Sequence, residues 1–270
     1  MPDFKNKTIV ITGGGTGLGR AMAEHLARLG GRIVVAGRRP EPLAETVDAI
    51  RAAGGDAESA QTDVRVPDQV QALVDGVVAR HGRIDALINN AAGNFIVRAE
   101  ELSPNGWNAV INIVLNGSFY CARAAGKAMI AAGGGGSILN IVATYAWTGG
   151  PGTIHSAAAK AGVVSLTQTL AVEWGRYGIR TNALCPGVVN TPGSAEKLFP
   201  TEEIRKRIAS RVPLGRLETP EEVARAAAFL LSDDASYVNG AVLVADGGMW
   251  LEPGLLGAAD ELARPAAKKP

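Results

Sequence analysis

Thr12-Gly13-Gly14-Gly15-Thr16-Gly17-Leu18-Gly19 stands directly after the β-branched run Thr8-Ile9-Val10-Ile11, and opens a segment in which Leu18, Met22, Leu26 and Leu29 recur at helical spacing. A glycine triplet alone predicts a tight turn and nothing more. With a strand before it, a helix after it and a crossover to another strand beyond, it predicts a dinucleotide-binding turn. Glycines let the backbone approach a pyrophosphate, and the free N–H groups of the helix start receive its charge. Gly13, Gly15, Thr16, Gly17, Leu18 and Gly19 are therefore the first candidate cofactor ligands.

Outward from this turn, short apolar runs alternate with longer helical patterns. Ile33-Val34-Val35 reads as a second strand, then a helix opens near Pro40 and ends before Gly54-Gly55. A strand near Ala57–Gln61, a helix marked by Val70, Leu73, Val74, Val77 and Val78, and a strand at Ala86-Leu87-Ile88 follow. One helix is expected from about Pro104 to Ala132, a strand at Ile138–Ile141, a helix from about His155 to Tyr177, and a strand at Arg180–Leu184. Helices near Glu202–Ser210 and Pro220–Leu231 and a strand at Val242–Val244 complete the pattern. Such alternation predicts an α/β fold: a single doubly wound (Rossmann) parallel sheet of about seven strands, with helices on both faces. Residues 1–251 read as one domain and 252–270 as a loosely held tail. The long mixed connection Thr191–Leu214 reads as a candidate lid.

The end of the second strand selects the cofactor. An acid there would accept the adenosine ribose hydroxyls and repel a 2′-phosphate. The chain instead has Gly37-Arg38-Arg39, with no carboxylate until Glu41. Two arginines at a helix start are poorly placed beside the helix dipole unless an anion joins them, and a guanidinium fork suits a phosphate. NADPH is the expected cofactor, with Arg38 and Arg39 on its phosphate. Asp63-Val64 stand where a side chain could meet the adenine. Asn89-Asn90-Ala91-Ala92-Gly93 end the fourth strand at the cleft where such sheets bind ligands, which adds Asn90, Ala91 and Ala92.

The bulk numbers exclude several classes. With 47% hydrophobic and 20% charged residues and a net charge of +1, no field recruits nucleic acid or an anionic membrane. Lys268-Lys269 is a short basic end rather than a patch. Cys121 and Cys185 lack CxxC spacing, and His25, His81 and His155 lack HExxH spacing, so no metal site is expected. No leader or apolar run of membrane length is read, and a reducing cytoplasm is the default location.

Thr12–Gly19, Asn89–Gly93, Lys160 on a helix after the fifth strand, and Pro186-Gly187 followed by Val189 and Thr191 make the chain resemble the short-chain dehydrogenase/reductases over roughly residues 5–250. The resemblance implies that Lys160 binds the nicotinamide ribose, that Asn116 in Leu115-Asn116-Gly117 is the catalytic asparagine, and that Pro186, Gly187, Val189 and Thr191 contact the cofactor. It also implies a homotetramer built on the helices near 104–132 and 155–177, whose apolar faces include Ala122, Ala125, Val164 and Leu170. The family's catalytic tyrosine, four residues before the lysine, is replaced by Ser156, and its serine, thirteen residues earlier, by Ala143. Ketone reduction needs a proton donor at the carbonyl oxygen, and neither replacement is a good one.

A narrower resemblance points to other chemistry. Asn89–Ile96, Tyr145-Ala-Trp-Thr-Gly-Gly, Ser156-Ala-Ala-Ala-Lys160 and Ala171-Val-Glu-Trp-Gly look like the 2,4-dienoyl-CoA reductases. There the tyrosine lies eleven residues before the serine, as Tyr145 does before Ser156, and Asn94 matches the asparagine that joins it. Their implied role is to hydrogen-bond the thioester oxygen of an acyl-CoA while hydride adds to the far end of the conjugated diene. Charge then gathers on that oxygen, so the site needs an oxyanion hole. That subfamily usually carries Thr where Ala143 stands. Taken singly, Tyr145 also reads as a packing aromatic, Asn94 as a turn former and Ser156 as a small residue making room. Trp147, Leu198 and Phe199 are candidates for an acyl pocket or for packing.

The leading expectation is NADPH-dependent reduction of a conjugated acyl-CoA double bond. His155-Ser156 also resembles the peroxisomal trans-2-enoyl-CoA reductases. A ketone or alcohol oxidoreductase and a catalytically silent NADP(H)-binding protein stay open beside it.

Overall fold

The computed structural model describes residues 2–191 and 201–251. Seven strands form one parallel sheet: β1 (Thr8–Thr12), β2 (Arg32–Gly37), β3 (Asp56–Gln61), β4 (Ala86–Asn89), β5 (Gly136–Ile141), β6 (Ile179–Pro186) and β7 (Val242–Ala245), in the order β3-β2-β1-β4-β5-β6-β7. The expected doubly wound sheet is what the chain forms.

Side chains alternate across each strand, so each run of apolar residues feeds two cores. Val10, Val34, Leu87, Ile138 and Ala183 face one layer, packed by α3 (Pro67–His81), α5 (Gly117–Ala132) and α7 (Ile154–Trp174). Ile9, Ile11, Ile33, Val35, Ile88, Leu139 and Leu184 face the other, under α1 (Gly17–Arg28), α2 (Pro40–Ala52) and the helix Pro220–Leu231. Caps set the helix ends. Pro40 and Pro67 take first-turn positions. Thr219 and Glu222 form a reciprocal capping box ahead of the last long helix.

Several boundaries differ from the sequence reading. The stretch expected as one helix over 104–132 is α4 (Pro104–Ile111), a π-helical turn Asn112–Asn116, and α5. The π-turn puts an extra residue into the helix at Asn116, a device common at functional sites. The helix expected from His155 to Tyr177 begins at Ile154, ends at Trp174, and continues as a 3-10 turn, Gly175–Tyr177. Tyr145–Thr148 forms a one-turn helix, α6, with too little periodicity to be read from sequence. Two further helices, α8 (Glu202–Ala209) and α9 (Pro220–Leu231), follow; α8 lies within the candidate lid, whose described residues on either side of it are turn or irregular.

One expectation is corrected outright. Ala122, Ala125 and Leu170, read as apolar surface in need of a partner subunit, are buried in the chain's own core, and only Val164 of the four is half-exposed. Small alanines let α5 and α7 approach the sheet closely, and the sheet covers them. Leu198, Phe199, the tail 252–270 and Lys268-Lys269 lie outside the described residues. Cys121 and Cys185 are both buried and free. Among the described residues no helix is long and apolar enough to cross a membrane, and no cluster of His, Cys, Asp and Glu could hold a metal ion.

Candidate active site

The strand order reverses between β1 and β4, so the chain leaves these neighbours toward opposite faces and opens a crevice at their carboxyl ends. A cleft of about 350 Å³ lies there, lined by Gly13, Gly15, Thr16, Leu18, Arg38, Arg39, Asp63, Val64, Asn90, Ala91 and Ala92, all expected from sequence, and by Gly37, Pro42, Leu43, Thr62 and Ile113, which were not.

The glycine turn has no room for side chains at its tight points, as a backbone that is to approach a pyrophosphate requires. Gly13 has φ +66°, and a Cβ there would lie 2.9 Å from Asn90 Nδ2 and 3.0 Å from Ala91 Cα. A Cβ on Gly19 would strike the Gly13 carbonyl oxygen and come within 2.6 Å of Asn90 Nδ2. The turn is latched from β4: Asn90 Nδ2 donates to the carbonyls of Thr12 (3.0 Å) and Gly13 (3.2 Å). Thr12 Oγ1 accepts from the backbone N–H of Asn90 (3.0 Å) and of Ala91 (3.1 Å). Thr12, which the sequence reading placed at the head of the turn without a role, is thus a positioning residue. A Cβ on Gly17 would lie 3.9 Å from Thr191, so the segment after β6 reaches this turn.

Arg38 and Arg39 are exposed at the edge of the cleft, and among the described residues neither is paired with a carboxylate. Gln61 Nε2 donates to the Arg38 carbonyl at 3.1 Å, fixing the backbone between them. Asp63 borders the cleft, but its carboxylate is gripped by Arg65, whose hydrogen bonds hold it below the ordinary carboxylate range. Its carboxylate is therefore already engaged before any adenine arrives.

The expected catalytic residues gather beyond this cleft only in part. Tyr145 Oη and Ser156 Oγ are hydrogen-bonded at 3.0 Å, joining α6 to the first turn of α7. Burial raises the Tyr145 pKa, with the Ser156 hydrogen bond working the other way, so the phenol keeps its proton near neutral pH. Lys160, one turn on, is buried, donates from Nζ to the Ile141 carbonyl at 2.5 Å, and is lowered by burial to about 8. The Cys185 thiol, within electrostatic reach of both Tyr145 and Lys160, is pushed by burial up to about 12 and stays neutral.

Asn94 and Asn116 make no hydrogen bond to these groups. Asn94 is exposed, and its Oδ1 accepts from the Phe95 N–H at 2.9 Å, which leaves Nδ2 free of protein acceptors among the described residues. Asn116 Nδ2 donates to Asn112 Oδ1 at 2.8 Å within the π-turn. Pro186 ends β6 and Gly187 follows it; the Gly187 N–H donates to the Ala245 carbonyl (3.1 Å) and to Glu218 Oε2 (2.8 Å), and Val189 bridges to Glu218. Ala143 carries no hydroxyl toward the Tyr145–Ser156 pair. Trp147 is exposed and lies 6.3 Å from Trp250, ring centre to ring centre. Beneath the site, Asn89 Nδ2 donates to Asn140 Oδ1 (2.8 Å) and Asn140 Nδ2 to Thr167 Oγ1 (2.9 Å), a buried polar chain that ties β4 and β5 to α7.

A family model described as enoyl-(acyl carrier protein) reductase matches residues 13–250. The chain is 55% identical over 251 residues to a Bacillus subtilis protein named "Probable 2,4-dienoyl-CoA reductase", (2E)-enoyl-CoA-producing, covering 93% of this chain and 99% of that one. A crystal structure of a short-chain dehydrogenase from Bacillus anthracis superimposes with a TM-score of 0.85 at 51% identity, covering 92% of this chain and 98% of that one. A gluconate 5-dehydrogenase from Burkholderia cenocepacia, crystallised with NADP and tartrate, gives a TM-score of 0.86 at 34% identity, covering 92% and 96%.

Proposed function

The chain belongs to the short-chain dehydrogenase/reductase family and is an oxidoreductase with a nicotinamide cofactor, and from that premise we propose that it uses NADPH to reduce the conjugated double bond of a 2,4-dienoyl-CoA. The observation that carries this reading is the Tyr145–Ser156 hydrogen bond at a site whose ordinary catalytic tyrosine is missing. The 55% identical relative named for that activity supports it.

The chain's own residues divide the work. The Gly13–Gly19 turn and the start of α1 would hold the pyrophosphate, Arg38 and Arg39 the 2′-phosphate, and Lys160 the nicotinamide ribose, with Pro186, Gly187, Val189 and Thr191 as further cofactor contacts. The bound NADPH supplies hydride to the far end of the diene. Tyr145 donates to the thioester oxygen while its own oxygen accepts from Ser156 O–H, and Asn94 Nδ2 supplies the second donor. Asn116 holds the π-turn through its bond to Asn112. Donors aimed at the oxygen where charge develops stabilise the dienolate without any change in their own protonation. A phenol whose pKa is raised suits this role and would be a poor general acid for a ketone. The homotetramer implied by the family would draw on exposed apolar residues such as Phe119 and Val172 on α5 and α7.

Cofactor choice gives one test. The unmutated protein is expected to bind NADPH more tightly than NADH, and Arg38→Asp to shift preference toward NADH. One charge-assisted phosphate contact is worth roughly 1.5–3 kcal/mol, or about ten- to a hundredfold in affinity. Fluorescence titration of both cofactors measures this, and equal dissociation constants before mutation contradict it.

Lys160 gives a second. Burial sets its pKa at about 8, so its positive charge is present below that pH and is lost as pH rises through it. NADPH affinity is expected to weaken on the alkaline side with an inflection near that value, and Lys160→Met to flatten the profile. A wild-type profile level through that range contradicts the assignment.

A further inference from the structure

We propose that His155 is a positioning residue that holds the two halves of the oxyanion site, the Asn94 loop and the Tyr145–Ser156 pair, in register. The proposal rests on the reading of Tyr145 and Asn94 given above. His155 sits in the first turn of α7 and is completely buried. Its Nδ1 accepts the Ser156 N–H at 2.9 Å, satisfying one of the donors that a helix start leaves without an intrahelical partner. An accepting Nδ1 puts the ring hydrogen on Nε2, and Nε2 is buried with no partner among the described residues.

On its other side the imidazole meets the Phe95 ring edge-on, with centres 4.4 Å apart at 89°. From Phe95 the path is one bond long: the Phe95 N–H donates to Asn94 Oδ1 and so turns the carboxamide. From Ser156 it is equally short, through Oγ to Tyr145 Oη. One ring therefore touches the immediate supports of both donors.

The Asn94 loop has little else to hold it. Phe95 and Ile96 are exposed, and the backbone tie is the Val97 N–H to the Gly152 carbonyl at 2.9 Å. A phenylalanine at 155 would fill similar space and remove the unpaired Nε2–H, but it would leave the buried Ser156 N–H without its acceptor, which costs free energy. What phenylalanine cannot do is accept from Ser156, and what a smaller acceptor cannot do is meet Phe95. Histidine does both.

Two substitutions separate these contacts. His155→Phe keeps a ring against Phe95 and removes the acceptor; His155→Asn keeps an acceptor near the Nδ1 position and removes the ring. Each is compared with the unmutated protein, with NADPH bound, by NADPH titration, by steady-state kinetics on a 2,4-dienoyl-CoA, and by amide hydrogen exchange of peptides spanning 93–98 and 153–158. NADPH affinity is expected to hold in both. The kcat is expected to fall by up to about a hundredfold with KM little changed, as misplaced reacting groups require. Exchange rises in the 93–98 peptide for His155→Asn and only in the 153–158 peptide for His155→Phe. Combined with Tyr145→Phe, either loss is less than multiplicative, because His155 acts through that group. Full kcat with unchanged loop exchange in both variants overturns the proposal, as does a kcat loss that multiplies fully with that of Tyr145→Phe. If the loop exchange responds as expected in a protein that leaves dienoyl-CoA untouched, the positioning role stands and the substrate reading falls.

Discussion

Tyr145→Phe is expected to lower turnover on a 2,4-dienoyl-CoA by about a hundred- to a thousandfold, since removing one oxyanion donor costs roughly 2.7–4 kcal/mol. The ring stays, so the packing of α6 on α7 is little disturbed, and Ser156 Oγ loses only its partner at 3.0 Å. NADPH affinity is expected to be unchanged, because the phenol touches neither the glycine turn nor Arg38. Asn94→Ala should act in the same direction, and the double variant should fall short of additivity because both groups serve one oxygen. Ser156→Ala should be milder: it removes the hydroxyl that donates to Tyr145 Oη but leaves the phenol's own hydrogen for the substrate. Steady-state rates decide. Near-full activity of Tyr145→Phe alongside an inactive Ser156→Ala would invert the roles assigned here.

The second large effect is at the glycine turn. Gly19→Val should weaken NADPH binding by about ten- to a hundredfold for each pyrophosphate hydrogen bond that the displaced turn gives up. The added Cβ falls on the Gly13 carbonyl oxygen and crowds Asn90 Nδ2, and these are the groups that the latch from β4 holds in place. The carbonyl is backbone and the Asn90 side-chain amide is tied to the Thr12 and Gly13 carbonyls, so the turn itself has to move. Overpacking of this kind also costs about 1–3 kcal/mol of stability, so the thermal midpoint without cofactor should fall as well. Titration of NADPH against the variant is the check, and unaltered affinity would mean that the cofactor does not lie on this turn.

Much of the fold was legible because two independent periodicities agree. The strands are short apolar runs whose alternate residues feed opposite cores, and the helices carry a single stripe, so strand–helix alternation could be read almost element by element. The glycine turn was legible because backbone packing dictates its residue types: glycine stands where a Cβ would collide. The catalytic half was less so. Tyr145 stands on a one-turn helix that has no periodic signal, and its pairing with Ser156 is a contact between elements. Asn116 was named for its place in Leu115-Asn116-Gly117, but the π-turn around it, where it bonds to Asn112, depends on how α4 and α5 join. Asp63 was placed correctly at the cleft, yet its engagement by Arg65, two residues on, depends on side-chain geometry that spacing does not specify. The apolar faces of α5 and α7 misled because small buried residues on a helix look alike whether a sheet or a second subunit covers them.

The central claim is that this chain reduces a conjugated carbon–carbon bond by stabilising an oxyanion rather than protonating a ketone. The most direct measurement follows NADPH absorbance with the unmutated protein and, in parallel, a 2,4-dienoyl-CoA and a β-ketoacyl-CoA of the same chain length. The account predicts rapid NADPH oxidation with the dienoyl thioester and little with the ketone, because the position four residues before Lys160 holds Ser156 and not a tyrosine. Faster turnover of the β-ketoacyl substrate, with the dienoyl thioester left intact, would contradict it.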